Sequence, residues 1–337
     1  MLFWYTKMKY TLLLVVAFLA ASFVSGAPTT NDEDQIIITT DFFPDELSVY
    51  SSQNDIISIT VPLNSINFED NDDDSDPDII LFFVEADLDN GEVKEYKGLY
   101  RYKNGTATKM LDDGTSSTAS IDDSKLAFFG AKSGIYVYDN EDGSVKKYGT
   151  VDDSVIDIVK LNGTDALYVL TEDHTVYKVT EEGNKKVAVD GAKDAQQIML
   201  DYSDNVYFYG PAKKPKVVTE NGVQEILGLP ENPAQVRLIK PPFVIENGVV
   251  FIVDNDIYTI FANGTSEKTD FKLDAKPTAS AVEATLIQYY AYNKKIYEYN
   301  ILTIILGELF DELKTFLEEK AEDIQSIATR SRSGFRA

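Results

Sequence analysis

The stretch Leu126-Ala-Phe-Phe-Gly-Ala-Lys-Ser-Gly-Ile-Tyr-Val-Tyr138 decides how this chain folds. An apolar run, a Gly-bearing turn and a second run around a Tyr read as two antiparallel strands. The phrase recurs. Ile80-Leu-Phe-Phe-Val pairs with Gly98-Leu-Tyr-Arg-Tyr, and Ala166-Leu-Tyr-Val-Leu with Thr175-Val-Tyr-Lys-Val. Asn205-Val-Tyr-Phe-Tyr precedes Pro215-Lys-Val-Val, Val249-Val-Phe-Ile-Val precedes Asp256-Ile-Tyr-Thr-Ile, and Ile287-Gln-Tyr-Tyr-Ala precedes Lys295-Ile-Tyr-Glu-Tyr. The period is roughly 40 residues, the length of one four-stranded propeller blade. A single sheet of this kind cannot bury both of its faces, so the repeats must stack side by side in a ring. The expected fold is all-β, a six-bladed β-propeller over residues 55–306, with an additional amphipathic α-helix at the C-terminus.

Blade three shows the plan. Ile156–Lys160 reads as the inner strand, Ala166–Leu170 as the second, Thr175–Thr180 as the third and Asn184–Val189 as the outer. Asp55–Val61 alternates apolar and polar residues and reads as a further strand. A ring needs its last blade completed, because closure removes an exposed sheet edge. Either N-terminal strand, the island Gln35–Thr40 within the polar segment 27–54 or Asp55–Val61, competes with the run Ile301–Leu306 for that place.

Outside the repeats the pattern changes. Lys7 and Lys9 precede the apolar run Thr11–Val24 and the small residues Ser25-Gly26-Ala27, the form of a secretory signal peptide over 1–26 with cleavage after Gly26. A secreted, extracellular protein is expected. Leu309, Phe310, Leu313, Phe316, Leu317, Ala321, Ile324 and Ile327 recur at helical spacing over 307–328. That helix is expected to pack on the propeller or to hold a protein partner, followed by a disordered basic tail over 329–337.

Composition removes several chemistries. There is no Cys, hence no thiolate nucleophile, thiolate metal ligand or disulfide. His174 is the single histidine, in the acidic turn Glu172-Asp173-His174, and reads as an exposed turn residue rather than a catalytic base. The formal net charge of −25 disfavours nucleic acid and anionic membrane as partners. The acidic run Glu69–Asp78 invites a calcium reading but lacks the Gly and distal Glu of an EF-hand loop. No cofactor or resident metal is expected.

Three Asn-Gly-Thr sequons stand at Asn104, Asn162 and Asn263. Asn104 and Asn263 fall between third and outer strands, and Asn162 between inner and second strands. These loops open on one face of the disc. The opposite face is left for a ligand, where Tyr209, Tyr292, Arg237, Lys213, Lys214 and Gln235 are the expected contacts. Rings would stack on a flat molecule, and Arg or Lys would meet its carboxylate.

Phe129-Gly-Ala-Lys-Ser-Gly-Ile-Tyr-Val-Tyr-Asp139 resembles the second-blade signature of the insect ommochrome-binding proteins. Ile80-Leu-Phe-Phe and Gly98-Leu-Tyr are similar to the matching first-blade strands of that family. The likeness runs over roughly residues 55–300 and is densest over 79–140. It implies a secreted haemolymph protein that carries an ommochrome, a planar pigment, without catalysis. It also implies kinship with gluconolactonase-like propellers, whose enzymes hold a central divalent metal by acidic and amide side chains. Asp152, Asp153, Asp190 and Asp194 lie near the corresponding loops. A metal-dependent lactonase or esterase and an extracellular structural protein are the alternative readings.

Overall fold

The structure, a computed structural model, describes residues 35–62, 79–89, 91–120, 126–242, 245, 247–282 and 287–301. The segments expected to form a leader (1–26), a C-terminal helix (307–328) and a basic tail (329–337), and the acidic run Glu69–Asp78, all lie outside these residues. The described residues form 25 strands in six sheets.

The first two strands, β1 (Ile36–Ile38) and β2 (Ser48–Ser51), precede the repeats. Blade one is β3 (Asp55–Thr60), β4 (Leu81–Asp89), β5 (Glu92–Lys103) and β6 (Thr106–Leu111). Blade two is β7 (Gly114–Ala119), β8 (Ala127–Ala131), β9 (Gly134–Tyr138) and β10 (Val145–Lys147). Blade three is β11 (Val155–Lys160), β12 (Leu167–Thr171), β13 (Val176–Thr180) and β14 (Lys185–Ala188). Blade four is β15 (Gln197–Leu200), β16 (Val206–Tyr209), β17 (Pro215–Thr219) and β18 (Gly222–Glu225). Blade five is β19 (Val236–Ile239), β20 (Gly248–Val253), β21 (Asp256–Phe261) and β22 (Ser266–Leu273). Blade six is β23 (Ala279–Ala281), β24 (Ile287–Tyr292) and β25 (Lys295–Asn300).

Six hydrophobic clusters occupy the six gaps between neighbouring blades. Successive side chains of a strand point to opposite faces, and both faces of a second strand are covered here. Phe82 therefore packs toward blade two and Phe83 toward blade six. Phe128 and Phe129 divide in the same way between blades three and one, and the Phe82 and Phe129 rings meet at 5.0 Å. This explains the aromatic doublets of the repeat.

Residues 36–51 latch the ring shut. Strand β2 pairs antiparallel with β25 and becomes the outer strand of blade six. Strand β1 adds a fifth, parallel strand to blade five, beside β22. Two short 3-10 turns, Thr40–Phe42 and Asp45–Leu47, join them. Phe42 and Phe43 fill the gap between blades five and six, stacked on Tyr299 at 4.8 Å and on Tyr292 at 4.3 Å. Buried Glu85 ties the exit of the latch to blade one by accepting from Tyr50 Oη (3.1 Å), Ser52 Oγ (2.6 Å) and Asn54 Nδ2 (2.8 Å).

Candidate functional site: the central channel

The six inner strands surround a channel of ≈ 1050 Å³. Inner strands of neighbouring blades do not pair with one another, so side chains bridge their edges. Thr60 Oγ1 donates to Ser117 O (3.0 Å) and Thr115 Oγ1 to Val155 O (2.6 Å). Asp157 links blade three to both neighbours, as described below. Gln197 forms a double rung with blade five, Nε2 to Leu238 O (2.9 Å) and Leu238 N to Oε1 (2.8 Å). Arg237 Nη1 donates to Pro277 O (3.0 Å), and Thr278 Oγ1 to Ile56 O (2.6 Å). The polar circuit is thus complete around the ring.

The mouth is overhung by the β4–β5 hairpin. Pairing of β3 with β4 stops at Ala86, whereas β4 and β5 stay paired out to Asp89 and Glu92. Two irregularities, at Glu85/Ala86 and Asp87/Leu88, bend this extension, as bulges do. Its end reaches across to blade five, where Gly91 lies close to Gln235. The positive φ of Gly91 (+86°) favours glycine. Tyr96 faces the channel from the same hairpin. Burial, with the nearby charges of Asp157 and Glu172, pushes its phenol up to about 12.

Asp157 stands at the waist. Its Oδ1 accepts from Ser116 Oγ of blade two (2.8 Å) and from Ile158 N (3.0 Å). Its Oδ2 accepts from Ile198 N of blade four (3.1 Å). Desolvation pushes the carboxyl up to about 6, against the opposing pull of these three donors and of Arg237. Arg237, on β19, spans to blade six through Pro277 O and at 3.5 Å to Ile57 O of blade one. Burial lowers its pKa, while the fields of Tyr209 and Asp157 act the other way. Both residues are enveloped by protein yet keep part of their surface open to the channel. Tyr209 lies close enough to feel both charges. Burial drives its phenol to about 12, lowered by Arg237 and raised by Asp157. Its Oη donates to Val236 O (3.4 Å).

Of the expected contacts, Tyr209, Arg237, Lys213 and Gln235 meet in this channel. Lys213 Nζ donates to Pro233 O (3.4 Å) and to Ala234 O. Tyr292 and Lys214 stand elsewhere. Tyr292 ends a second strand, so its ring turns into the gap between blades and stacks on Phe43. Lys214 is exposed and pairs with Glu231 at 3.2 Å. His174 differs from a freely exposed turn residue. It sits half-buried at the channel rim with Nδ1 against Ala195 O (2.8 Å), so Nδ1 carries the proton. Asp157 and Tyr96 were not among the expected contacts. The signal for Asp157 was a carboxylate in the middle of the apolar run Val155-Ile-Asp-Ile-Val159. Among the described residues, no group of three or more His, Asp or Glu is placed to hold a metal ion.

The sequons are carried by the β5–β6, β11–β12 and β21–β22 connections. All inner strands run in the same sense, so these three connections share the face opposite the hairpin-covered mouth.

No protein-family model matches the chain, and no curated protein matches it. Solved structures do. A gluconolactonase from Xanthomonas campestris superposes with a TM-score of 0.50 at 9% identity, over 74% of this chain and 87% of its own. U3-55K does so at 0.49 and 12% identity, over 75% of this chain and 79% of its own. The WD40 repeats of RRP9 give 0.49 and 11%, over 75% and 78%. At such identities the likeness is one of fold, and it places the chain among six-bladed β-propellers with a gluconolactonase-like neighbour.

Proposed function

We propose that this is a secreted propeller that binds a small planar aromatic ligand, of the ommochrome type, in its central channel without transforming it. The observation that carries the reading is Tyr209 in the field of Arg237, with Tyr96 of the overhanging hairpin lining the same channel. Pockets that bury organic ligands usually combine apolar or aromatic walls with a few fixed polar groups, within about 300–1,000 Å³. A flat ring can lie against the two tyrosines, and a carboxylate on it can take the guanidinium donors. Titration with xanthommatin, followed by visible absorbance, tests the reading. A saturable spectral shift at micromolar ligand is expected, and it should be lost in Arg237→Met. An unchanged spectrum rejects this ligand.

Secretion also predicts sugar on the far face, but not equally at the three sequons. Asn104 and Asn263 are exposed. Asn162 is half-buried, and its Nδ2 donates to Tyr202 O (3.1 Å). Peptide mapping of the secreted protein should find glycan at Asn104 and Asn263 and little at Asn162. Equal occupancy of all three would contradict this.

A further inference from the structure

Two opposite charges face the channel, and among the described residues neither forms an ion pair. Asp157 takes only neutral donors, a serine hydroxyl and two backbone N–H groups. Arg237 gives only to the carbonyl oxygens of Pro277 and Ile57. Neither enters an ion pair among the described residues, although each lies within the field of the other. Burying a charge is costly unless an opposite charge compensates it, and removing one partner of such a set leaves that cost standing. Here both costs stand at once, on strands of blades three and five, with blade four between them. Tyr209 sits in the field of both charges and Tyr96 in that of Asp157.

We propose that the channel takes an aromatic zwitterion, an α-amino acid with a planar ring, whose ammonium group meets Asp157 and whose carboxylate meets Arg237. This rests on the aromatic-ligand reading above and names the ligand class. A ligand bearing only a carboxylate would leave Asp157 uncompensated and be repelled by it. A ligand bearing only an amine would stand in the same relation to Arg237. The zwitterion satisfies both charges and adds no net charge to the space walled by the six inner strands. Its ring falls beside the two tyrosines.

Three probes share one ring and differ in charge: L-tryptophan, tryptamine and indole-3-propionate. In calorimetric titrations of the wild-type protein near neutral pH, tryptophan should bind at least about tenfold tighter than either analogue, the scale of one charge-assisted hydrogen bond. In Asp157→Asn the advantage over indole-3-propionate should disappear, and in Arg237→Gln the advantage over tryptamine. The wild-type series decides the matter even if a variant fails to fold. Analogues that bind as tightly as tryptophan overturn the zwitterion and leave the aromatic channel standing. If no indole binds, the zwitterion inference falls whatever xanthommatin does, because xanthommatin carries an α-amino acid group of its own, and the xanthommatin titration alone decides the aromatic-ligand reading. If xanthommatin also fails to bind, both readings fall.

Discussion

A chain that lacks residues 27–51 is expected to lose its cooperative fold. The deletion removes the outer strand of blade six, the fifth strand of blade five, and Phe42 and Phe43 from the gap between those blades. Truncating one buried Phe to Ala typically costs about 3–5 kcal/mol. A domain is stable by only about 5–15 kcal/mol in all, so the two rings together with two strand pairings rival the total. The point variants Phe42→Ala and Phe43→Ala resolve the effect more finely. Each should shift the urea unfolding curve by about 3 kcal/mol or more with the slope preserved. A truncated protein with a wild-type midpoint would show that the ring does not need this latch.

The second large effect is a pH dependence centred on Asp157. Its carboxyl is pushed from 3.8 to about 6 in the folded chain, chiefly by desolvation. Between those values the folded state holds a proton that the unfolded chain has already lost. The group therefore lowers stability as pH rises through this window, and the full penalty stands above the folded pKa. The shift corresponds to up to about 3 kcal/mol. Asp157→Asn carries no such titration. Relative to wild type, the variant should gain up to about 3 kcal/mol between pH ~4 and pH ~7.5. Reading the difference between the two proteins cancels the other carboxylates and any constant cost of the amide. A difference that stays flat across this range would place Asp157 in a wetter setting than the channel waist.

The repeats were legible because covering both faces of a second strand writes a doublet into the sequence. Phe82-Phe83, Phe128-Phe129 and Tyr289-Tyr290 each send one ring to each neighbouring blade. The closing strand was ambiguous for the opposite reason. Ser48-Val-Tyr-Ser51 is short and only half-covered, so its composition carries little pattern, and Ile301–Leu306 is the more apolar competitor. In the site, Arg237, Gln235 and Lys213 were readable from position alone, since they begin an inner strand or sit in loops on the mouth face. Tyr96 was hidden because the repeated phrase sets the third strand at Gly98–Tyr102, whereas β5 begins at Glu92, just after the Asn90-Gly91 turn signal, and carries Tyr96 on the overhang. Asp157 was hidden because an acidic residue in an alternating strand reads as solvent-facing, whereas an inner strand of a propeller turns such residues toward the channel. Tyr292 was misplaced by the same ambiguity seen in every aromatic at a strand end, which can meet either the channel or the next blade.

On the reading proposed above, the ligand enters the channel rather than lying on the rim or on the sequon-bearing face. A crystal structure of the protein grown with xanthommatin tests it most directly. Ligand density is expected inside the ring, between Tyr96 and Tyr209, with an anionic group on Arg237. Ordered ligand on the outer rim or on the face that carries Asn104 and Asn263, with the channel holding only water, would contradict it.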